Sequence, residues 1–355
     1  MNFSELRKYG FSGIVNGISY NHSALLLNNN VWFRRVNKYI FSILKKGRQR
    51  KKFSDLIDEL HPEIVWVGSS DQAVEIFCNT YDPGKHRFKV FYEVNEYPDL
   101  FFVPGTRIHD IYFNEFIGKV DLMVCMTKEL IKYFGRIPLK ADIKIHHMPM
   151  TVDISRFENI GLRYGEQKPY IAYCGGLNND KDGLDILIYS FEKISMEFKN
   201  INLLIAGPKE FDGDKNLDLI RKLNLSDRIK YLGVLNRDEI PYLICNAALL
   251  ALPRPSSRQA QGGFPTKLGE YLASGRPVCA TIFGAIPEYL SDEVNAFLAK
   301  PGEVSSFTDA LMRALTDKPK AEEVGRRGKE AAILNFSMES EASRLFDFIQ
   351  KNEAE

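Results

Sequence analysis

The residues with the clearest chemical potential lie between Gly262 and Val278, G-G-F-P-T-K-L-G-E-Y-L-A-S-G-R-P-V. Thr266, Lys267 and Glu270 fall within about one helical turn, and Thr266 and Glu270, four apart, share a face. A helix N-terminus carries free N–H groups and partial positive charge, so a helix opening near Pro265 attracts phosphate. Lys267 adds a full charge, and the glycine pair Gly262-Gly263 lets a ligand approach the backbone. A carboxylate one turn further in, Glu270, accepts hydrogen bonds from the paired hydroxyls of a sugar. Together these residues describe a nucleoside-diphosphate site, with phosphates at the helix mouth and ribose at Glu270. The competing reading is a plain capped amphipathic helix, so the neighbouring segments decide between them.

Two other segments repeat the theme. Y-C-G-G-L-N-N-D-K-D-G-L-D-I-L ends a predicted strand at Gly175-Gly176 and carries Lys181 just before the next helix. L-L-I-A-G-P ends another strand at Gly207-Pro208. In a parallel sheet such ends face one crevice. Earlier in the chain, F-Y-E-V-N-E-Y-P-D-L places Glu93, Glu96 and Asp99 after a strand, where a carboxylate acts as a general base or binds a sugar hydroxyl. The D-x-D triplets Asp212-Gly213-Asp214 and Asp180-Lys181-Asp182 read as turn chemistry rather than metal ligands. His146-His147 point to opposite strand faces, and no metal site is expected. The absence of G-x-G-x-x-G argues against a nicotinamide dehydrogenase.

The elements that position these residues alternate in type. Predicted strands at Ser12–Ser19, Glu63–Gly68, Phe88–Val94, Val120–Met126 and Ile143–Met148 are separated by helices at Asp55–Leu60, Asp71–Tyr81, Ile108–Gly118 and Lys128–Phe134. The pattern restarts at Tyr170, with strands Tyr170–Cys174, Asn202–Ala206, Ile229–Leu232, Ala247–Leu252, Val278–Thr281 and Asn295–Ala299. Helices at Leu184–Phe198, Leu217–Leu223, Arg237–Asn246 and Thr266–Ser274 intervene, and three more are predicted at Glu303–Leu315, Ala321–Leu334 and Glu339–Lys351. Alternation of this kind means parallel sheets covered on both faces. The division expected is residues 1–150 as a first Rossmann-like domain, 151–169 as linker, 170–336 as a nucleotide-sugar-binding domain, and 337–355 as a helix returning to the first.

Composition sets the outer bounds. The chain has 355 residues, 45% hydrophobic and 26% charged, which suits a globular protein of two domains. The net charge of +1 is unevenly spread: 21 Lys+Arg against 16 Asp+Glu to Met150, and 26 against 30 thereafter. Lys45–Lys52, K-K-G-R-Q-R-K-K, could dock on anionic lipid, as could Phe101-Phe102-Val103 by insertion. Five cysteines without C-x-x-C spacing read as reduced core residues. No apolar run spans a bilayer, so the expected location is cytoplasmic, peripheral at the inner face of the membrane. No nucleic-acid partner is expected.

These motifs, in this order and spacing, resemble the donor domain of retaining glycosyltransferase family 4 (the group 1 glycosyltransferases), of GT-B fold. D-R-I-K-Y-L-G-V-L-N-R-D-E-I-P-Y-L and G-A-I-P-E-Y-L extend the match, and M-P-M-T-V-D-I-S-R-F resembles that family's interdomain segment; the resemblance runs from Met148 to Phe336. It implies two Rossmann-like doubly wound domains facing a central cleft, the first lacking its opening strand unless Ser12–Val15 supplies it. It implies transfer of a sugar from a UDP- or GDP-sugar, with retained configuration and without cofactor or metal, to a surface-polysaccharide or lipid-linked saccharide acceptor. Glu270 matches the glutamate that holds the donor ribose. Phe264, Pro265, Thr266 and Lys267 match the segment meeting the diphosphate and sugar, with Gly263 before them a further donor-binding candidate, and Lys181 matches the lysine that neutralises the leaving diphosphate. Val234 and Leu235 match the loop beside the nucleobase. The motif's first glutamate falls at Gly262, and the arginine partner of Lys181 has no match at Gly176, Leu177 or Asn178. Asn95 and Glu96 stand where the family often has a histidine, which makes Glu96, with Lys181 and Lys267, a catalytic candidate. The missing glutamate and the shortened start motivate one alternative, a non-catalytic GT-B-like subunit of a polysaccharide assembly; another is a nucleotide-sugar epimerase of the same fold.

Overall fold

A computed structural model describes residues 12–15, 18–21, 50–51, 53–140, 142–161, 168–209 and 212–353. Its largest sheet has six parallel strands: β7 (Tyr170–Cys174), β8 (Asn202–Ala206), β9 (Ile229–Tyr231), β10 (Leu249–Leu252), β11 (Val278–Thr281) and β12 (Phe297–Ala299). They lie in the order β12-β11-β10-β7-β8-β9. The chain runs outward from β7 to β9, returns to place β10 on the other side of β7, then runs outward again. Strand order therefore reverses between β7 and β10, which opens a crevice at their carboxyl ends.

The strands are apolar on both faces because both are covered. Ala172, Leu204, Leu250, Leu252, Ala280 and Leu298 pack on the side that holds Leu268 and Leu272 of helix Thr266–Ala273 and Ala332 of helix Lys318–Phe336. Ile171, Tyr173, Leu203, Ile205, Leu249 and Ala251 pack on the other side, with Leu184 and Phe191 of helix Leu184–Glu197 and Phe307 of helix Val304–Thr316. Complete burial of a side chain such as Leu268 or Leu272 contributes about 1.5–3 kcal/mol.

A second sheet holds β3 (Ile64–Val67), β4 (Lys89–Val94), β5 (Leu122–Cys125) and β6 (Lys144–His147), in that order. Residues 53–60 and the segments Asp71–Cys78 and Lys128–Phe134 are helical, as the sequence predicts. Ser70 and Thr127 cap the latter two by accepting from Ala73 N and Leu130 N. Contacts divide the chain into two compact units. One contains residues up to 92 with 101–122 and 140–143; the other contains 93–100, 123–139 and 144 onward.

Several expectations change. Ser12–Ser19 is not one strand, nor does Ser12–Val15 open a parallel sheet: β1 (Ser12–Val15) pairs antiparallel with β2 (Ile18–Asn21) in a separate two-stranded sheet. The helix expected at Ile108–Gly118 is one α turn at Arg107–Asp110, a widened π turn at Ile111–Phe116 and a 3₁₀ turn at Ile117–Lys119. The widened turn buries Tyr112 and Phe116 against Tyr92 and Phe102. Phe102 is consequently buried, stacked on Tyr112 at 3.9 Å, so only Phe101 and Val103 of that apolar triplet are exposed. Asp212-Gly213-Asp214 is not a loop but the start of helix Gly213–Lys222. Most of the Lys45–Lys52 run lies outside the described residues. Among those residues no helix is long and apolar enough to cross a membrane, and all five cysteines are free thiols.

Candidate active site

Helix Thr266–Ala273 follows β10 and begins beside the crevice. Pro265 is its extended N-cap rather than its first helical residue. Tyr271 ties the helix to the end of β7, its hydroxyl accepting from Cys174 N at 2.6 Å. This contact fixes the rotation of the helix and hence the direction of Glu270. Glu270 Oε1 accepts from Arg156 Nη1 at 2.9 Å, and Arg156 Nη2 donates to Arg237 O at 2.9 Å. Arg156 belongs to the M-P-M-T-V-D-I-S-R-F segment, so the expected ribose ligand is held by a residue that sequence reasoning did not single out.

A second group gathers where β7 and β10 end. Lys267 is largely buried, with Nζ 2.6 Å from Asp182 Oδ1 and 5.1 Å from the centroid of the Tyr173 ring. Burial lowers its pKa, and Asp182 opposes that shift. A Cβ on Gly175 would lie 2.2 Å from Lys267 Nζ, so the strand end and the lysine are in direct contact. Lys181 extends towards Glu96, Nζ to Oε1 at 3.8 Å, and is half exposed. Asp182 and Lys181 belong to the single turn Asn179–Asp182, capped by Asn178 and ended by Gly183 at φ +70°. A Cβ at Gly183 would meet Pro253 O at 2.0 Å. Only glycine permits both that φ and that approach, which brings the turn against the end of β10.

That approach delivers Arg254, a residue missed by sequence reasoning. It is 5% exposed, its Nε donates to Lys181 O at 3.3 Å, and its own carbonyl accepts from Thr281 Oγ1 at 2.8 Å. Burial lowers its pKa, against the charges of Asp182 and Glu96. The signal available was a charged residue between two prolines, Pro253 and Pro255, directly after a buried apolar strand. Asp182, read as turn chemistry, is likewise buried and ion-paired.

The remaining candidates separate. Phe264 is buried, with ring centroids 5.6 Å from Tyr289 and 5.4 Å from Phe336, so its side chain packs in the core and only its backbone can meet a ligand. Gly263 and Pro265 are buried beside it. Gly207 and Pro208 end β8, and Leu177 N donates to Pro208 O at 3.1 Å. Gly176 O accepts from Tyr173 Oη at 2.7 Å. Val234 is 69% exposed, whereas Leu235 packs partly on the core. Glu93, Glu96 and Asp99 do not act as one cluster. Glu93 accepts from Asn95, Glu96 pairs with Lys181, and Asp99 pairs with Arg258.

Gly262 is explained sterically. A Cβ there would sit 2.6 Å from the Tyr97 ring, and Thr127 Oγ1 donates to Gly262 O at 2.8 Å. Tyr97 fills the space that a side chain at 262 would need. Among the described residues no three His, Cys, Asp or Glu converge as metal ligands. His146 and His147 face different neighbours: His146 stacks on Phe348 at 4.8 Å, and His147 feels Glu288 and Lys128.

Comparison with known proteins points the same way. Residues 158–331 match the family model described as glycosyl transferases group 1. The chain is 25% identical over 209 residues to an MMP α-(1→4)-mannosyltransferase of Mycolicibacterium hassiacum, covering 59% of this chain and 48% of that one. It is 24% identical over 224 residues to a GDP-mannose-dependent α-(1-6)-phosphatidylinositol monomannoside mannosyltransferase of Mycobacterium tuberculosis, covering 59% and 57%. These matches span about half the length of the curated relatives. Among solved structures, sucrose-phosphate synthase from Thermosynechococcus elongatus superposes with a TM-score of 0.75 at 14% identity, covering 97% of this chain and 86% of that one. Anabaena HepE in complex with UDP-glucose gives 0.69 at 17% identity, covering 85% and 82%. The fold is GT-B, with two parallel-sheet α/β domains.

Proposed function

We propose that this chain is a glycosyltransferase that moves a hexosyl group from a nucleoside-diphosphate sugar to a hydroxyl of a saccharide or lipid-linked saccharide, with retained anomeric configuration and without a bound metal. The observation that carries the reading is the convergence, at the β7–β10 crevice, of the helix opening at Thr266, the Glu270 carboxylate one turn in, and Lys181. In this assignment the backbone from Gly263 to Thr266 meets the diphosphate, and Glu270 takes the ribose hydroxyls. Arg156 holds Oε1, and among the described residues no bond is made to Oε2. Val234 and Leu235 flank the base.

The departing diphosphate needs positive charge as the glycosidic bond breaks. Lys181 is the half-exposed cation able to reach it, and Glu96 directs that lysine from 3.8 Å. Lys267, spent on Asp182, holds the strand ends together and lends its backbone N–H to the helix mouth. The leaving phosphate itself takes the acceptor proton on the same face, which preserves configuration. The acceptor classes follow from the relatives, whose names include a phosphatidylinositol mannoside.

A thermal-shift screen with UDP, GDP, ADP and their sugars tests donor use, since ligands of the folded state raise its stability by mass action. One nucleotide class should stabilise the protein, and Glu270→Ala should weaken its binding by about 1–3 kcal/mol. Lys181→Ala should lower turnover more than donor affinity. A folded Glu270→Ala protein with undiminished nucleotide affinity would refute the ribose assignment. A protein that binds nucleotide sugars yet never transfers them would instead be a binding subunit.

A further inference from the structure

Charge does not balance around Arg254. Its guanidinium is almost wholly buried, and among the described residues it forms no ion pair; its hydrogen bond is to a backbone carbonyl, Lys181 O. The two carboxylates whose charge reaches it are engaged elsewhere, Asp182 with Lys267 at 2.6 Å and Glu96 with Lys181 at 3.8 Å. Three cations therefore share two carboxylates, and the residual positive charge sits on the most deeply buried arginine of the crevice. A buried cation with no counter-ion is costly. Nothing in the packing requires one here: Thr281 anchors Arg254 through its main chain, and the bond to Lys181 O satisfies only Nε. The arrangement makes physical sense when an anion arrives from outside and completes it.

We propose that Arg254 receives the diphosphate of the nucleotide donor, its planar fork donating to two phosphate oxygens as Lys181 closes from the exposed side. This inference rests on the glycosyltransferase reading above and deepens it by naming the residue that neutralises the leaving group. The anion is a diphosphate rather than a carboxylate because the site offers a guanidinium, a lysine and a helix mouth together. During transfer the bond between the anomeric carbon and the phosphate oxygen breaks, and its electron pair stays on the diphosphate. The acceptor oxygen bonds to the anomeric carbon, and its proton passes to the departing phosphate. Arg254 thus meets the group whose negative charge grows.

Isothermal titration of wild type, Arg254→Met, Arg254→Lys and Glu270→Ala with inorganic pyrophosphate, UDP, GDP, uridine and guanosine tests this, with ligand-free melting measured alongside. For Arg254→Met, pyrophosphate and nucleoside-diphosphate affinity should fall roughly tenfold or more while nucleoside affinity holds. Its ligand-free melting temperature should equal or exceed that of wild type, because an uncompensated charge has been removed. Arg254→Lys should recover part of the affinity, restoring the charge without the fork. Unchanged diphosphate affinity in Arg254→Met overturns the proposal, as does a lowered melting temperature with nucleoside and diphosphate binding lost equally, the mark of a structural arginine. Normal nucleotide binding by Glu270→Ala beside a diphosphate-specific loss in Arg254→Met would sink the ribose assignment and leave Arg254 standing. A wild type that binds neither pyrophosphate nor any nucleoside diphosphate removes both.

Discussion

At the scale of single residues, position 262 shows how one contact replaces another. The resembling family has a glutamate there, and this chain has glycine because Tyr97 occupies the space. The Tyr97 ring is buried, covered by Arg258 at 4.9 Å and Tyr133 at 5.4 Å, and its hydroxyl donates to Glu129 at 3.3 Å. Gly262→Ala should therefore destabilise the protein by about 1–3 kcal/mol, the usual cost of overpacking, as read by urea unfolding. Gly262→Glu should lose stability and gain no activity. The clash predicts non-additivity: in a Tyr97→Ala background, Gly262→Ala should cost clearly less than in wild type. Equal costs in both backgrounds would mean that Tyr97 is not what excludes a side chain at 262. The carboxylate nearest the Lys181 charge is instead Glu96, the immediate neighbour of Tyr97.

At the scale of elements, the C-terminal helix Met338–Glu353 meets β6 through the stack of Phe348 on His146. Burial lowers the pKa of His146, with His147 and Arg344 adding to the effect; burial lowers that of His147 too, with Glu288 opposing and Lys128 adding. Neither Nε2 has a hydrogen-bond partner among the described residues. A histidine whose folded pKa is depressed binds protons more readily when unfolded, so stability is complete above the unfolded value of about 6.5 and declines as pH falls below it. His146→Phe, which keeps the stack and removes the titration, should flatten the fall in melting temperature between pH 7.5 and 5.5. An unaltered slope would assign the proton uptake elsewhere.

Elements are also where the sequence was most legible. Buried runs such as L-L-A-L and V-C-A-T, and the P-T-K-L-G-E-Y-L-A-S-G helix with its stop, are local patterns, and they stand where expected. Ser12–Val15 is a strand, but a stretch as short as S-G-I-V does not declare its partner or its direction. Arg254 and Asp182 stayed hidden for a related reason. A charge in a turn reads as solvated unless the tertiary approach of Gly183 to Pro253, which buries it, is already known. Phe264 reads as a ligand contact from its local segment, but the packing of its side chain is set by Tyr289 and Phe336, far along the chain.

At the scale of the whole molecule, the compact unit that contains the β7–β10 crevice is not a contiguous stretch. It takes in residues 93–100 and 123–139 together with everything from 144. Those inserts touch the crevice loops within that unit: Glu96 meets Lys181, Asp99 pairs with Arg258, Thr127 bonds Gly262 O and Lys128 pairs with Glu288. A ligand that orders the crevice loops should therefore also order 93–100, although it lies some eighty residues upstream of Lys181 in sequence. Hydrogen exchange with and without saturating nucleoside diphosphate reads this directly, because protection reports local opening. Slower exchange is expected at 178–183, 233–239 and 254–270, and also at 93–100. The helix Val304–Thr316, buried against Leu184–Glu197 on the far face of the sheet, should change little. Protection confined to residues after 170 would separate Glu96 from the donor site and leave Lys181 to act without it. Protection that reaches 93–100 in wild type and vanishes there in Glu96→Ala would make the ion pair the physical link between the two stretches.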